Sequence, residues 1–188
     1  MIPTNFFISL KASLFGGWIP IVLLMCIQMV MMSVVKEGGK RAVDTSWYTK
    51  KDKAFASWTF ILQGAMILLG IFLPFKTGTP WFTVGLVIFI LGALMMVWAF
   101  LSYGKAPLDK AVTGGIYKIS RNPMYTSFII GVIGATVATA SLWMLILLVL
   151  FVIATHGVIL GEERYCSETY GESYLKYKKA TPRYFLFF

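Results

Sequence analysis

Long apolar runs separated by short polar stretches dominate the pattern of the chain. Runs without a charged side chain cover residues 12 to 35, 54 to 75 and, after Lys76, 77 to 104. Each run exceeds the roughly 20 residues that a helix needs to cross the hydrocarbon of a bilayer. The pattern therefore predicts three transmembrane helices in the N-terminal half.

A fourth run, from Asn122 to Gly161, holds 40 residues without an acidic or basic side chain. As a single helix it would extend about 60 Å, twice the hydrocarbon thickness. Small and hydroxyl-bearing residues fill positions 136 to 141, and Trp143 follows as an interface anchor. We therefore expect a helical hairpin that turns within 136 to 141, which raises the number of crossings to five.

These runs predict an all-α integral membrane protein of five transmembrane helices, with the last two forming a tight helical hairpin. We expect one membrane domain over residues 1–188, with three N-terminal helices in 1–104 and the hairpin and C-terminal tail in 105–188. Composition agrees, since 58% of the residues are hydrophobic and only 13% are charged. The polar stretches are too short to bury a core of their own.

Positive charge is distributed unevenly between the two ends of the predicted bundle. Six Lys or Arg residues lie in 36 to 53, four in 102 to 121 and five after Gly161, whereas only Lys11 and Lys76 fall on the opposite side. By the positive-inside rule the loops and C-terminus are cytoplasmic and the N-terminus is outside. We expect the protein to lie in the inner membrane of the cell. We interpret the net charge of +9 as orientation and contact with anionic lipid, not as nucleic-acid binding.

The hairpin should bring two polar motifs to the same membrane boundary. Asn122 is a good N-cap and Pro123 fits the first helical position, so helix four is predicted to begin there. Glu162 and Glu163 return to that boundary at the end of helix five. A helix N-terminus favours anions and paired carboxylates favour cations, so this corner suits a zwitterionic ligand. Glu163 is the preferred ligand because it follows His156 by two helical turns, whereas Glu162 is expected to pair with basic loop residues.

Simpler interpretations of these residues stay open. Boundary carboxylates often mark only the solvated end of a span, and a single neutral His is as often a packing residue as a functional one. Interface tyrosines are usually anchors. Further along, Gly171 is expected to interrupt the helix, after which Tyr174 and Tyr177 share one face. No metal-ligand cluster, Walker loop or Rossmann fingerprint is visible, so no metal site is predicted.

The motifs occur together in a characteristic order. They are Gly115-Ile-Tyr117, Arg121-Asn122-Pro123-Met-Tyr125, the hairpin, Glu162-Glu163, Tyr170-Gly171-x-x-Tyr174-x-x-Tyr177 and Pro182-Arg183. Order and spacing resemble the family of isoprenylcysteine carboxyl methyltransferases and phospholipid N-methyltransferases, over about residues 105 to 185. The resemblance implies an S-adenosylmethionine pocket in 105–188 that faces the cytoplasm and is capped by loops and a C-terminal helix. It also implies a lipophilic acceptor that arrives through the bilayer.

Carried over by position, the resemblance implies two sets of site residues. The cofactor-binding residues are Gly115, Tyr117, Arg121, Asn122, Pro123, Tyr125, Glu162 and Glu163. The catalytic residues, near the acceptor or the cap, are Glu163, Tyr177 and Arg183. Many members have His at the position of Asn122, and an Asn there cannot titrate, which argues against a general base at this position.

The resemblance predicts methyl transfer from S-adenosylmethionine to a carboxylate, thiol or amine of an isoprenoid or phospholipid-like molecule. Such a displacement mainly needs positioning of the two reactants and exclusion of water. The shortage of bases favours an acceptor that needs no deprotonation. Two alternatives stay open: an NADPH-dependent membrane reductase of the sterol type, whose C-terminal region looks similar, and a nonenzymatic small transporter, which should carry ionisable residues inside several spans.

Overall fold

The computed structural model describes residues 6–185, so five residues at the start and three at the end of the predicted domain lie outside the described part. Within these residues the chain forms helices and no β-strand, which confirms the all-α prediction. A short 3-10 helix, Gly115–Lys118, precedes the hairpin. The α-helices are α1 (Trp18–Val34), α2 (Glu37–Val43), α3 (Lys50–Gly70), α4 (Pro80–Gly104), α5 (Pro123–Thr139) and α6 (Leu142–Ala180).

Three of the helices, α3, α4 and α6, are long and apolar enough to cross a membrane, as expected for a membrane protein. Helices α1 and α5 are apolar but have 17 residues each, about 26 Å of helix. Helix α6 has 39 residues, or about 58 Å, so it is much longer than one span needs. Its charged second half therefore projects beyond the apolar part of the bundle.

A capping box sets the start of α3 four residues before the predicted apolar run. The Thr49 hydroxyl accepts a hydrogen bond from the backbone N–H of Asp52 at 3.3 Å, and the Asp52 carboxylate accepts one from the N–H of Thr49 at 2.8 Å. This reciprocal pair satisfies two backbone donors at the helix start. The predicted boundaries, 54 and 75, were wrong at both ends, because capping lies outside the hydropathy pattern and the helix already ends at Gly70.

The segment before α1 is not helical, although the sequence predicted a helix from residue 12. Its backbone follows the turn after α3, where the N–H of Lys11 donates to the carbonyl of Phe72 and the N–H of Gly17 donates to that of Leu73. A Cβ at Gly16 would lie 2.6 Å from the Leu73 carbonyl oxygen. The glycine thus permits a close backbone approach that competes with helix formation.

The hairpin turn is shorter than predicted. Helix α5 continues to Thr139, Ala140 takes a left-handed conformation with φ of 46°, and the Ser141 hydroxyl accepts a hydrogen bond from the N–H of Met144 at the start of α6. The hydroxyls of Thr136 and Thr139 donate to carbonyls in the preceding helical turn. Because these hydroxyls are satisfied inside the helix, only residues 140 and 141 form the turn.

Helices α4 and α5 pack with their backbones almost in contact. A Cβ at Gly92 would lie 2.5 Å from the backbone nitrogen of Gly131, and a Cβ at Gly134 would lie 2.4 Å from that of Phe89. We call this contact, with Gly85 at its far end, the glycine seam. Small residues at helix interfaces allow such packing in membranes. Helix α6 instead packs mainly on α3, so the two hairpin helices belong to different helix pairs.

Candidate functional site

The start of α5 and the charged part of α6 meet at one end of the bundle, as the hairpin predicts. The Nε of Arg121, just before α5, lies 3.1 Å from the Oε1 of Glu163 in α6. Both side chains are buried, with 3% and 2% of their surface exposed. The motifs that the sequence separates by about forty residues are therefore in direct contact.

The Glu163 carboxylate is surrounded by cations from the protein itself. Arg183 contacts it with two nitrogens, Nε to Oε1 and Nη2 to Oε2, each at 3.0 Å. Lys178 Nζ lies 3.6 Å from Oε2, and Asn122 Nδ2 donates to Oε1 at 3.2 Å. We call Arg121, Asn122, Glu163, Lys178 and Arg183 the Glu163 cluster. Three cations share a single carboxylate, so the cluster carries surplus positive charge.

These contacts also set the protonation of the cluster. Hydrogen bonds to Glu163 raise the pKa of Arg183, so its guanidinium stays charged at any physiological pH. Glu163 was expected to be a boundary carboxylate available to a ligand, but its charge is already compensated within the protein. Its role as a ligand for the cofactor stays a prediction.

Arg121 also fastens the segment that follows α6. Its Nη1 donates to the carbonyl of Lys178 at 2.7 Å and to that of Thr181, and its backbone N–H donates to the carbonyl of Pro182 at 2.9 Å. The Asn122 side chain donates to the carbonyl of Arg183 at 3.4 Å. The two motifs around Arg121 and Pro182, both part of the family resemblance, are thus hydrogen-bonded to each other.

Asn122 does not cap α5 with its side chain, although the helix begins at Pro123 as predicted. Its amide donates to Glu163 instead. Hydrogen bonds to a carboxylate are roughly twice as strong as those between neutral groups. Asn122 therefore occupies the predicted N-cap position, but its side chain binds the charged acceptor and does not cap the helix.

Glu162 has different surroundings from its neighbour. The hydroxyl of Tyr125 donates to its Oε1, and no Lys or Arg among residues 6–185 lies within ion-pair distance. The expectation that Glu162 pairs with basic loop residues was therefore wrong within this range. A half-buried carboxylate without a cationic partner is the distinctive electrostatic feature of this end of the bundle.

Tyrosines from several elements surround Glu162. Burial and then the charge of Glu162 raise the pKa of Tyr48 to about 12, and burial followed by the charges of Tyr103 and Glu162 raises that of Tyr117. Both hydroxyls are therefore neutral at pH 7 and can donate hydrogen bonds. The rings of Tyr103 and Tyr117 lie 6.2 Å apart. We call Tyr48, Tyr103, Tyr117 and Tyr125 the tyrosine cluster.

Helix α6 adds two more tyrosines beyond a backbone break. Gly171 has φ of 54° inside the helix, which confirms the predicted interruption. After it, the rings of Tyr174 and Tyr177 lie 5.8 Å apart on one face, and the Tyr177 hydroxyl donates to the carbonyl of Tyr117 at 2.6 Å. Tyr177 therefore fastens the 3-10 helix that carries Tyr117.

Gly115 and Pro123 have backbone roles in this arrangement. Gly115 opens the 3-10 helix with φ of 59°, and the Ser102 hydroxyl would lie 2.2 Å from any Cβ there. Pro123 is buried in the first turn of α5. Both residues shape the chain that presents Tyr117 and Tyr125, and neither offers a polar side chain to a ligand.

Sequence reasoning missed Lys178 of the Glu163 cluster, Tyr48 and Tyr103 of the tyrosine cluster, and two further contributions from the N-terminal half. Asp52 receives a hydrogen bond from Arg164 Nη2 at 2.5 Å, which ties the start of α3 to α6 beside the two glutamates. Arg41 lies 5.1 Å above the Tyr103 ring and 5.9 Å from that of Tyr170. Both residues belong to a half of the chain without motifs. The capping-box pattern Thr-x-x-Asp was the one available signal, and it indicated a helix start, not a site.

His156 forms a hydrogen bond with the segment that follows α6. Its Nδ1 lies 2.7 Å from the hydroxyl of Tyr184, in the segment after α6. This is the hydrogen bond that a packing residue needs, and it lies away from the two glutamates in sequence by more than one helical turn.

Comparison with known families agrees with the family resemblance of the sequence. The sequence model described as phospholipid methyltransferase matches residues 80–173, half of the chain. The matched range holds α4, α5, most of α6, and the predicted site residues from Gly115 to Glu163. No curated protein and no solved structure is significantly similar to the chain. From the match and the apolar helices, the chain belongs to the phospholipid methyltransferase family and is a membrane methyltransferase.

Proposed function

We propose that the protein transfers a methyl group from S-adenosylmethionine to a lipid-soluble acceptor, at the end of the bundle where the tyrosine cluster adjoins the Glu163 cluster. One observation carries the proposal: adjacent residues of α6 present opposite electrostatic needs. Glu162 is a carboxylate without a cation among the described residues, while Glu163 is a carboxylate with three.

The residues present fit a zwitterionic methyl donor. The carboxylate of its amino-acid group suits the surplus positive charge of the Glu163 cluster, and its ammonium or sulfonium suits Glu162 and the faces of the neighbouring tyrosines. We assign donor contact to Glu162 in preference to Glu163, because only Glu162 lacks an internal cation. Tyr117, Tyr125, Arg121 and Asn122 would complete the pocket, as the family resemblance implies.

The donor supplies an electrophilic methyl carbon on its sulfonium, so the protein's task is to hold the reactants and exclude water. Tyr48 and Tyr117 stay protonated at pH 7 and therefore act as hydrogen-bond donors, not as bases. Asn122 cannot titrate either. Neither the tyrosines nor Asn122 therefore takes a proton from the acceptor, and Tyr177 and Arg183 lie on the side of the cap.

In the membrane we propose five crossings, by α1, α3, α4, α5 and α6. The 17-residue helices α1 and α5 approach the hydrocarbon thickness of about 30 Å, and flanking residues complete the crossing. The basic loops before α3 and α5 lie at the end of the bundle that carries the site. By the positive-inside rule this end is cytoplasmic and the N-terminus is outside.

The test is a calorimetric titration of the purified protein with S-adenosylmethionine and, separately, with NADPH. We expect the methyl donor to bind and NADPH not to bind. Incubation with a donor that carries a labelled methyl group and a membrane lipid extract should then move label into the organic phase. Binding of NADPH alone would contradict the proposal and support a reductase, and binding of neither compound would support the nonenzymatic alternative.

A further inference from the structure

A second polar feature lies on the outer surface of α4, at the same end of the bundle. A groove of about 480 Å³ lies between the last two turns of α4 and the loop from Lys105 to Gly115. Trp98 and Leu101 line its apolar end, with 51% and 40% of their surface exposed. Lys105 and Lys110 line its polar end, and both are exposed. The groove therefore changes from apolar to cationic along the helix axis.

The groove has hydrogen-bond donors that the protein does not use. Neither lysine forms an ion pair in the range 6–185, and Trp98 Nε1 donates to no acceptor there. That nitrogen lies 3.7 Å from the position a Cβ of Gly115 would take, so it is at the groove wall. Asp109 belongs to the same loop but does not line the groove. The available charge in the groove is therefore positive.

The loop that forms the groove is held in place. Arg41 in α2 donates to the carbonyl of Pro107 at 3.1 Å and to that of Lys110 at 3.0 Å. At the other end, the N–H of Ile116 donates to the Ser102 hydroxyl at 3.4 Å. Both ends of the loop are fixed to helices, so the groove exists without a ligand.

We infer that this groove binds the headgroup of an anionic glycerophospholipid, as a lipid site separate from the methyl-donor site. Trp98 lies about 9 Å along the axis from the end of α4, at the depth where tryptophan marks the membrane interface. Lysines with long apolar stems place their ammonium groups at the level of lipid phosphates. A lipid matches the groove at both ends, since its phosphate meets Lys105 and Lys110 while its glycerol and first methylenes meet Trp98 and Leu101.

The inference does not depend on the proposed methyl transfer and is tested by lipid retention. Native mass spectrometry of the purified protein with phosphatidylglycerol or phosphatidylcholine measures which lipid stays bound. We expect the wild type to prefer phosphatidylglycerol, and the double variant Lys105→Ala/Lys110→Ala to lose that preference by roughly tenfold or more. Trp98→Phe keeps an aromatic ring without the N–H and should weaken retention several-fold.

The matched control is Lys50→Ala/Lys53→Ala, which removes two exposed lysines without described ion pairs at the start of α3. It should retain the preference. Equal loss in both double variants would mean a general charge effect and would overturn the site, as would an unchanged preference in Lys105→Ala/Lys110→Ala. Displacement of the lipid by soluble glycerol 3-phosphate at equal concentration would show a site for free phosphate instead. Methyl-donor affinity of the groove variant should stay at the wild-type value, which separates this test from that of the proposed function.

Discussion

Glu162 and Glu163 are neighbours in sequence, but their side chains meet different partners. Adjacent residues on a helix diverge by about 100°, so the Glu163 carboxylate points to the cations of its cluster and the Glu162 carboxylate points to the tyrosine cluster. Glu163 is 2% exposed among three cations, whereas Glu162 meets Tyr125. We therefore expect substitution of the first to act on stability and substitution of the second to act on binding.

For Glu163→Gln we expect a loss of about 3 kcal/mol of stability, because Arg121 and Arg183 would keep their charges without a buried counterion. For Glu162→Gln we expect no loss of stability, because the amide keeps an oxygen that can accept from Tyr125 and removes a half-buried charge that has no cation. Its affinity for S-adenosylmethionine should fall roughly ten- to a hundredfold, since one charge-assisted contact is lost. Thermal unfolding in detergent and calorimetry measure the two effects. If the Glu163 variant alone lost affinity for S-adenosylmethionine while its stability stayed unchanged, Glu163 and not Glu162 would be the residue that contacts the methyl donor.

Asn122→His tests whether hydrogen-bond donation is all that this position requires. The Asn122 amide donates to Glu163, and an imidazole N–H can replace that bond. We expect the affinity for S-adenosylmethionine to stay within about tenfold of the wild type, or roughly 1.4 kcal/mol. Asn122→Leu, whose side chain has no hydrogen-bond donor, is the control and should lose more of this affinity. Complete loss of binding in a folded Asn122→His protein would show that the amide has a specific role toward the ligand.

At the scale of the elements, the glycine seam joins α4 to α5 without side chains between the backbones. A methyl group at Gly92 would lie 2.5 Å from the nitrogen of Gly131 and 2.9 Å from the carbonyl oxygen of Ser127. These are backbone atoms that cannot rotate away, so the helices themselves would have to separate. Gly64 in α3, in contrast, has no atom within 4 Å of an added Cβ.

The pair Gly92→Ala and Gly64→Ala turns this contrast into a measurement. We expect Gly92→Ala to destabilise the protein by about 1 to 3 kcal/mol through overpacking. Gly64→Ala should be neutral or stabilise by up to about 1 kcal/mol, because alanine is the better helix former. Thermal unfolding in the same detergent compares the two. Equal melting temperatures would show that α4 and α5 are less closely packed than described.

The hydropathy pattern predicts the helices well, because apolar length is what a bilayer requires of a helix. Their ends depend on local hydrogen bonds that hydropathy does not record, such as the Thr49–Asp52 capping box and the hydroxyl bonds of Thr136. The pairing of Arg121 with Glu163 was predictable from the hairpin. The contributions of Tyr48 and Arg41 were not, since only the tertiary packing of α2 and of the loop before α3 brings them to the site.

At the scale of the whole molecule, all the basic loops and the site lie at one end of the bundle. We expect this end to face the cytoplasm, which cysteine labelling of intact cells measures. In a background with Cys26 and Cys166 replaced, an impermeant reagent should modify a cysteine at Thr77 and spare one at Ser46. The opposite labelling pattern would invert the topology and place the methyl-donor site outside. Labelling after permeabilisation, where both positions should react, is the control.

The glycine seam also determines how a membrane-embedded substrate can travel. Lipid tails slip between transmembrane helices where side chains leave a crevice, and the backbones of α4 and α5 leave none at Gly92 and Gly134. A lipid tail therefore cannot pass between α4 and α5 at the glycine seam. Helix α6 packs mainly on α3, so α5 and α6 are less closely packed against each other than α4 and α5 are. We therefore propose that a methyl acceptor with a hydrocarbon tail would reach Glu162 between α5 and α6, with its tail still in the bilayer.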